Sequence, residues 1–211
     1  MPGARGFLER YGHKLALVSN NSTHEVAGLH EKLRLLGLHI PVEQIHLAGE
    51  LALAKVASLY PGRRVFLLGS AAMERVAFRH EIELSETNAD VVVVCRDTRL
   101  SLVRLEGALA HIERGCPVIV ANNDLTHPRV NGSAVETGAI FALLAACHEP
   151  DEVVYVGKPE PCLFEEALKG TPAEEAVMVG DNPLTDIAGA ARLGMPAVLL
   201  GSESRFRLED L

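Results

Sequence analysis

The chain has no tryptophan, and aromatic residues make up 4% of its 211 positions. That scarcity does not extend to core-forming residues in general. Hydrophobic residues reach 48% and charged residues 23%, a balance that excludes disorder and provides ample material for a packed interior. It has no excess of positive charge. With 20 Lys and Arg against 28 Asp and Glu, the net charge is −8 and the pI near 5.6. The electrostatic footprint of a nucleic-acid or anionic-membrane binder is therefore missing. Cys95, Cys116, Cys147 and Cys162 lie far apart, and no CxxC pair occurs, so neither a zinc site nor a disulfide framework is suggested. No apolar run is long enough to span a bilayer, and no charged amino-terminal segment leads into an apolar stretch. These absences predict reduced thiols and a cytoplasmic protein. Repeats and low-complexity tracts are also absent.

What is present is a regular alternation of short apolar runs and helical periodicities. KLALVS (14–19) reads as a strand, followed by a polar loop and a helix with Val26, Leu29, Leu33 and Leu36 on one face. RVFLLG, ADVVVVCRD and CPVIVAN form a second group of strands, with helices near 71–79 and 101–114 between them. VVYVG, AVMVG and AVLL form a third group, with helices after the first two. Strand–helix–strand order throughout predicts an α/β fold with parallel sheets flanked by helices. Pro61-Gly62 marks a plausible boundary. The expected organisation is a discontinuous domain of residues 1–61 and 150–211, interrupted by a second α/β domain over 62–149.

The segment AVMVGDNPLTDIAGAARLG carries the strongest chemical signal. It places Asp181 at the carboxyl end of a short apolar strand and Asp186 five residues later, with Asn182 and Pro183 starting a helix between them. Ligands of open parallel sheets collect at strand carboxyl ends, so this acid pair suits a hard cation such as magnesium; a capped helix with surface acids is the plainer alternative. If the outer strands share one sheet, two further strand ends converge on the same place. One is SNNST, where the Ser19 hydroxyl and the amides of Asn20 and Asn21 precede a helix and could favour an anion, or could simply cap that helix. The other is GKPEP, where Lys158 could neutralise charge on a phosphoryl group, or could be an ordinary surface lysine.

SNNST, VGKPEPCLFEEAL and VMVGDNPLTDIAGAARLGMP resemble, in order and spacing, the second, third and fourth motifs of the haloacid dehalogenase superfamily. The nearest branch is that of nitrophenylphosphatases and nucleotide phosphatases, and the likeness covers nearly the whole chain. It implies a Rossmann-like core interrupted by an inserted cap domain, and magnesium-dependent phosphoryl transfer from a small phosphorylated metabolite. On that resemblance Ser19, Asn20, Asn21 and Lys158 hold the phosphate, Asp181 binds Mg2+, and Asp186 steadies Lys158 or metal-bound water. Asn122, Asn123, Asp124 and His127, after the strand CPVIVA, become cap-loop contacts to the leaving group. Self-association is left open. Where the family usually has a Pro-Gly pair before the last cap helix, this chain has Glu136-Thr137-Gly138.

The family's first motif is an aspartate pair separated by one residue, at the end of a central strand. No Asp-x-Asp occurs in the chain. The resemblance therefore implies a core without its first central strand and a catalytic set without its nucleophile. Three expectations follow: an active phosphatase whose true start lies upstream or was trimmed away, a natural remnant that binds a phosphate ligand or a partner without turnover, or a core completed by a strand from another chain.

Overall fold

The computed structural model describes residues 3–201 together with 207 and 208. The chain divides into two compact units, one of Met1–Ser19, Val26–His46 and Lys158–Leu211, the other of Asn20–Glu25 and Leu47–Gly157.

The second unit is built on a four-stranded parallel sheet of β3 (Val65–Leu68), β4 (Val91–Val94), β5 (Val118–Val120) and β8 (Val153–Tyr155), in the spatial order β3-β4-β5-β8. Val92 pairs with Val118, and Val118 in turn with Val153, so β-branched side chains stand in rows across the sheet. All eleven residues of β3, β4 and β5 are buried, because helices cover both faces. On one face Phe66, Leu68, Val92, Val94, Val118 and Val120 pack with Ile112 of α5 (Leu102–Ile112) and Ile140 and Leu144 of α6 (Thr137–Cys147). Alternate residues such as Leu67, Val93 and Ile119 point the other way and are equally buried. There α3 (Ala48–Leu59) packs on β4 and β5, and on α4 (Ala71–Arg79). Between β5 and α6 lies a hairpin of β6 (Thr126–Arg129) and β7 (Gly132–Val135), which sequence periodicity did not indicate.

The first unit contains α1 (Ala4–Tyr11), β1 (Leu17–Ser19), α2 (Val26–Leu35), β2 (Ile45–Leu47), α7 (Pro161–Leu168), β9 (Met178–Gly180), α8 (Ala188–Arg192) and β10 (Ala197–Leu199). β1 pairs with β2, and β9 with β10 in parallel register, Ala197 opposite Met178 and Leu199 opposite Gly180. Phe164, Ala190 and Met195 form its buried cluster, with Leu168, Met178 and Leu193 against them. Residues of β1 and β9 are only half-buried.

Two sequence expectations are corrected. The strand at 153–157 does not join β1 and β9 in one sheet, because its valines pair with β5 in the second unit. In the second unit the buried face of α3 (Ala48, Ala52, Leu53 and Val56) packs on the sheet. The strand expected over 14–19 begins only at Leu17, because Lys14 closes a 3-10 turn that starts at Gly12. Among the described residues no helix is long and apolar enough to cross a membrane.

Glu25 fastens the 20–25 segment to α4, its carboxylate accepting from Arg75 and Arg79 at 2.5 Å each. Hydrogen bonds from Arg79 and then Arg75 hold its pKa below the usual carboxylate value of 4.5. A depressed carboxylate pKa stabilises the fold above the unfolded value, and that stabilisation disappears as pH falls through the folded one. Both arginines are largely exposed, so Glu25→Gln should cost about 1 kcal/mol or less at pH 7. Urea titrations should show the difference from wild type shrinking as pH falls below the ordinary carboxylate value of 4.5.

Candidate functional site

In the first unit the chemistry collects where β9 ends. Gly180 closes the strand, and a Cβ there would collide with the Asp186 carboxylate, so only glycine fits beneath it. Asn182 then caps the next turn through its side-chain oxygen, which accepts from Leu184 N at 2.9 Å, and Pro183 occupies the first position of the turn. The Pro183–Ile187 turn is the wide π form, and it folds Asp186 back over the end of the strand. One carboxylate oxygen accepts from the backbone amides of Asp181 and Asn182, both at 3.1 Å. The other accepts from Lys158 Nζ at 2.6 Å. Lys158 also donates to the Val18 carbonyl of β1 at 3.1 Å.

The Lys158 and Asp186 side chains are only 11% and 5% exposed. Burying either charge alone would be costly; here each has its counter-ion and further hydrogen bonds. The pair places a cation at the carboxyl end of β1, one residue before the half-buried Ser19. Asp181, by contrast, is exposed at the end of β9.

In the second unit the 20–25 loop is held by residues at the carboxyl ends of β4 and β5 and at the start of α6. Asn21 closes its own turn, its Oδ1 accepting from Thr23 N at 3.0 Å and His24 N at 2.9 Å. Its side chain therefore acts as a local cap. The Ser22 and Thr137 hydroxyls share a buried hydrogen bond of 2.8 Å, and Arg96 N donates to Ser22 Oγ at 3.0 Å. Asn122 donates to the Asn20 carbonyl at 2.7 Å, and Asn20 Nδ2 to Asp124 at 3.0 Å. His127, on β6, lies 2.7 Å from Glu136 through Nδ1, while Arg96 approaches the same carboxylate at 3.4 Å. Burial pushes the Glu136 carboxyl above its ordinary range.

The sequence candidates thus fall into groups. Lys158 and Asp186 meet directly, with Asp181 at the turn that Asp186 ties. Asn20, Asn122 and Asp124 form a second cluster, Asn123 is exposed, and His127 belongs with Glu136. Arg96, Glu136 and Thr137 were not among the candidates. Arg96 follows the valine run of β4, so the same strand-end rule applied there would have found it.

Among the described residues no group of three or more His, Cys, Asp or Glu side chains is arranged to hold a metal. Asp186 is committed to Lys158 and two amides, which leaves Asp181 as the exposed carboxylate of the pair. Magnesium is commonly held by one or two carboxylates plus substrate phosphate and water, and Asp181 fits one such ligand.

Replacing Lys158 by Met strands a buried carboxylate that keeps only its amide donors. Lys158→Met should lower stability by about 3–5 kcal/mol, and adding Asp186→Asn should recover part of that loss. Denaturant unfolding of the two single variants and the double variant measures the coupling.

Comparison with known proteins adds independent observations. Residues 1–83 match a haloacid dehalogenase-like hydrolase family, and residues 155–210 match a HAD-hydrolase-like family. The chain is 28% identical over 207 residues to a dihydroxyacetone phosphatase of Corynebacterium glutamicum, covering 96% of this chain and 75% of that protein. It is 26% identical to the 5'-nucleotidase YutF of Bacillus subtilis, covering 92% and 76%. Among solved structures, a mutant thermostable p-nitrophenylphosphatase from Bacillus stearothermophilus superimposes with a TM-score of 0.82 at 31% identity, covering 95% of this chain and 81% of that one. A double mutant of the thermostable NPPase from Geobacillus stearothermophilus gives a TM-score of 0.91 at 29% identity, covering 100% and 92%. With its strand-end lysine and acids in the order that family uses, the chain belongs to the haloacid dehalogenase-like hydrolases, with the α/β fold of their capped phosphatases.

Proposed function

We propose that this protein carries the phosphate- and metal-holding part of a magnesium-dependent phosphatase acting on a small phosphorylated metabolite. The observation that carries the reading is the buried Lys158–Asp186 pair, with the lysine fixed beside the end of β1 and Asp181 exposed at the end of β9. Lys158 supplies a positive charge that needs no reorganisation when a phosphoryl group develops negative charge. Ser19 and the start of the following loop contribute hydrogen-bond donors to the phosphate. Asp181 would hold magnesium, which when bound offsets the charge of the phosphate oxygens. The names of the relatives, a dihydroxyacetone phosphatase, a 5'-nucleotidase and acid sugar phosphatases, support a phosphomonoester of modest size.

The attacking carboxylate of this chemistry is not among the 211 residues in the form the family uses. No Asp-x-Asp occurs in the sequence, and among the described residues β1 pairs only with β2 and β9 only with β10.

With magnesium present, the 211-residue chain should hydrolyse p-nitrophenyl phosphate no faster than its Asp181→Ala variant. Calorimetry should still register orthophosphate binding that Asp181→Ala weakens about tenfold, the loss of roughly 1.4 kcal/mol. Turnover abolished by Asp181→Ala would mean that the chain supplies its own nucleophile. Absence of both phosphate and magnesium binding would refute the phosphatase site altogether.

A further inference from the structure

Asn122 and Asp124 are expected, from the family resemblance, to face the leaving group. Their hydrogen bonds lead elsewhere. Asn122 is 1% exposed, and its Nδ2 donates to the Asn20 carbonyl at 2.7 Å, with Ser22 Oγ at 3.4 Å and Thr137 Oγ1 at 3.3 Å. Its Oδ1 accepts from the Asp124 amide at 3.0 Å. The two amide hydrogens of Asn122 therefore already have three oxygens within reach, leaving none for a ligand. Asp124 completes a ring, because its Oδ2 accepts from Asn20 Nδ2 at 3.0 Å. Two hydrogen bonds thus tie the main chain and the side chain of Asn20 to the loop after β5, and a third, from the Asp124 amide to Asn122, closes that loop on itself.

The packing around Asn20 is equally restrictive. A Cβ added at Gly157 would lie 2.7 Å from Asn20 Oδ1 and 2.6 Å from the Ala121 carbonyl, so the glycine makes room for this orientation. Charge points the same way. A carboxylate set directly against an anionic phosphomonoester would repel it, whereas one committed to an amide donor orients that donor.

We propose that Asn122 and Asp124 are positioning residues for the 20–25 loop, fixing Asn20 in the geometry that receives a phosphoryl group, and that they do not read the leaving group. This rests on the phosphate-binding role given to that loop above. The substrate is then discriminated by other side chains, and the loop after β5 serves every substrate alike.

Orthophosphate separates the two roles, because it has no leaving group. Asp124→Ala should weaken orthophosphate binding about fivefold to tenfold, as expected for one hydrogen bond to a charged group. It should also speed amide hydrogen exchange across residues 20–25, with the melting temperature almost unchanged. Asp124→Asn keeps an acceptor oxygen and should restore both properties to within about twofold of wild type. Unchanged exchange in Asp124→Ala would overturn the tie, and unchanged orthophosphate affinity would overturn the positioning role. If wild type fails to bind orthophosphate while Asp124→Ala still accelerates exchange, the phosphate-binding reading falls and the structural tie alone stands.

Discussion

The buried ion pair between Lys158 and Asp186 is the contact on which the arrangement of the first unit's strand ends depends. It joins three separated stretches of chain: the end of β1 through Val18, the loop before α7 through Lys158, and the turn after β9 through Asp186. A pair this deeply buried is not chosen for stability, since apolar residues of the same volume would often do as well. What it provides is a positive charge fixed at a defined point. The glycine at 180, the Asn182 cap and the π turn all serve to bring the carboxylate into register with the lysine.

The second unit handles polarity differently. Its sheet is covered on both faces, so polar side chains concentrate where the strands end and the helices begin. Ser22, Asn122 and Thr137 are buried there, and each is matched to a hydrogen-bond partner, which fixes loop geometry without a net charge in the interior. Arg96, His127 and Glu136 are less buried, and both Arg96 and His127 approach the Glu136 carboxylate. The 20–25 loop is therefore anchored by hydroxyl and amide groups in its interior, with the Asp124 and Glu25 carboxylates holding its two ends.

Much of this was legible in the sequence because the signals are local. The valine runs predict buried parallel strands, Asn182-Pro183 predicts a helical start, and the order of SNNST, GKPEP and GDNPLTD carries the family. Helix α4 has the limits, 71–79, that its periodicity and flanking residues indicate. The hairpin of β6 and β7 was not legible, since THPR and GSAV are mostly exposed and lack a hydrophobic alternation. Nor could local pattern place α3, whose apolar face would suit either unit.

By itself the sequence determined the alternation of strands and helices, the strand ends where chemistry could collect, and the residue types available there. Periodicity, capping and glycine turns are properties of neighbouring residues, so they survive without the fold. Tertiary structure alone decided the partners. It took the strand before Lys158 into the sheet of the second unit while Lys158 itself closed on Asp186. It turned Asn122 and Asp124 towards Asn20, about a hundred positions earlier in the chain. Hydrogen bonds between distant segments depend on how sheets and loops meet in space, and no local spacing encodes that meeting.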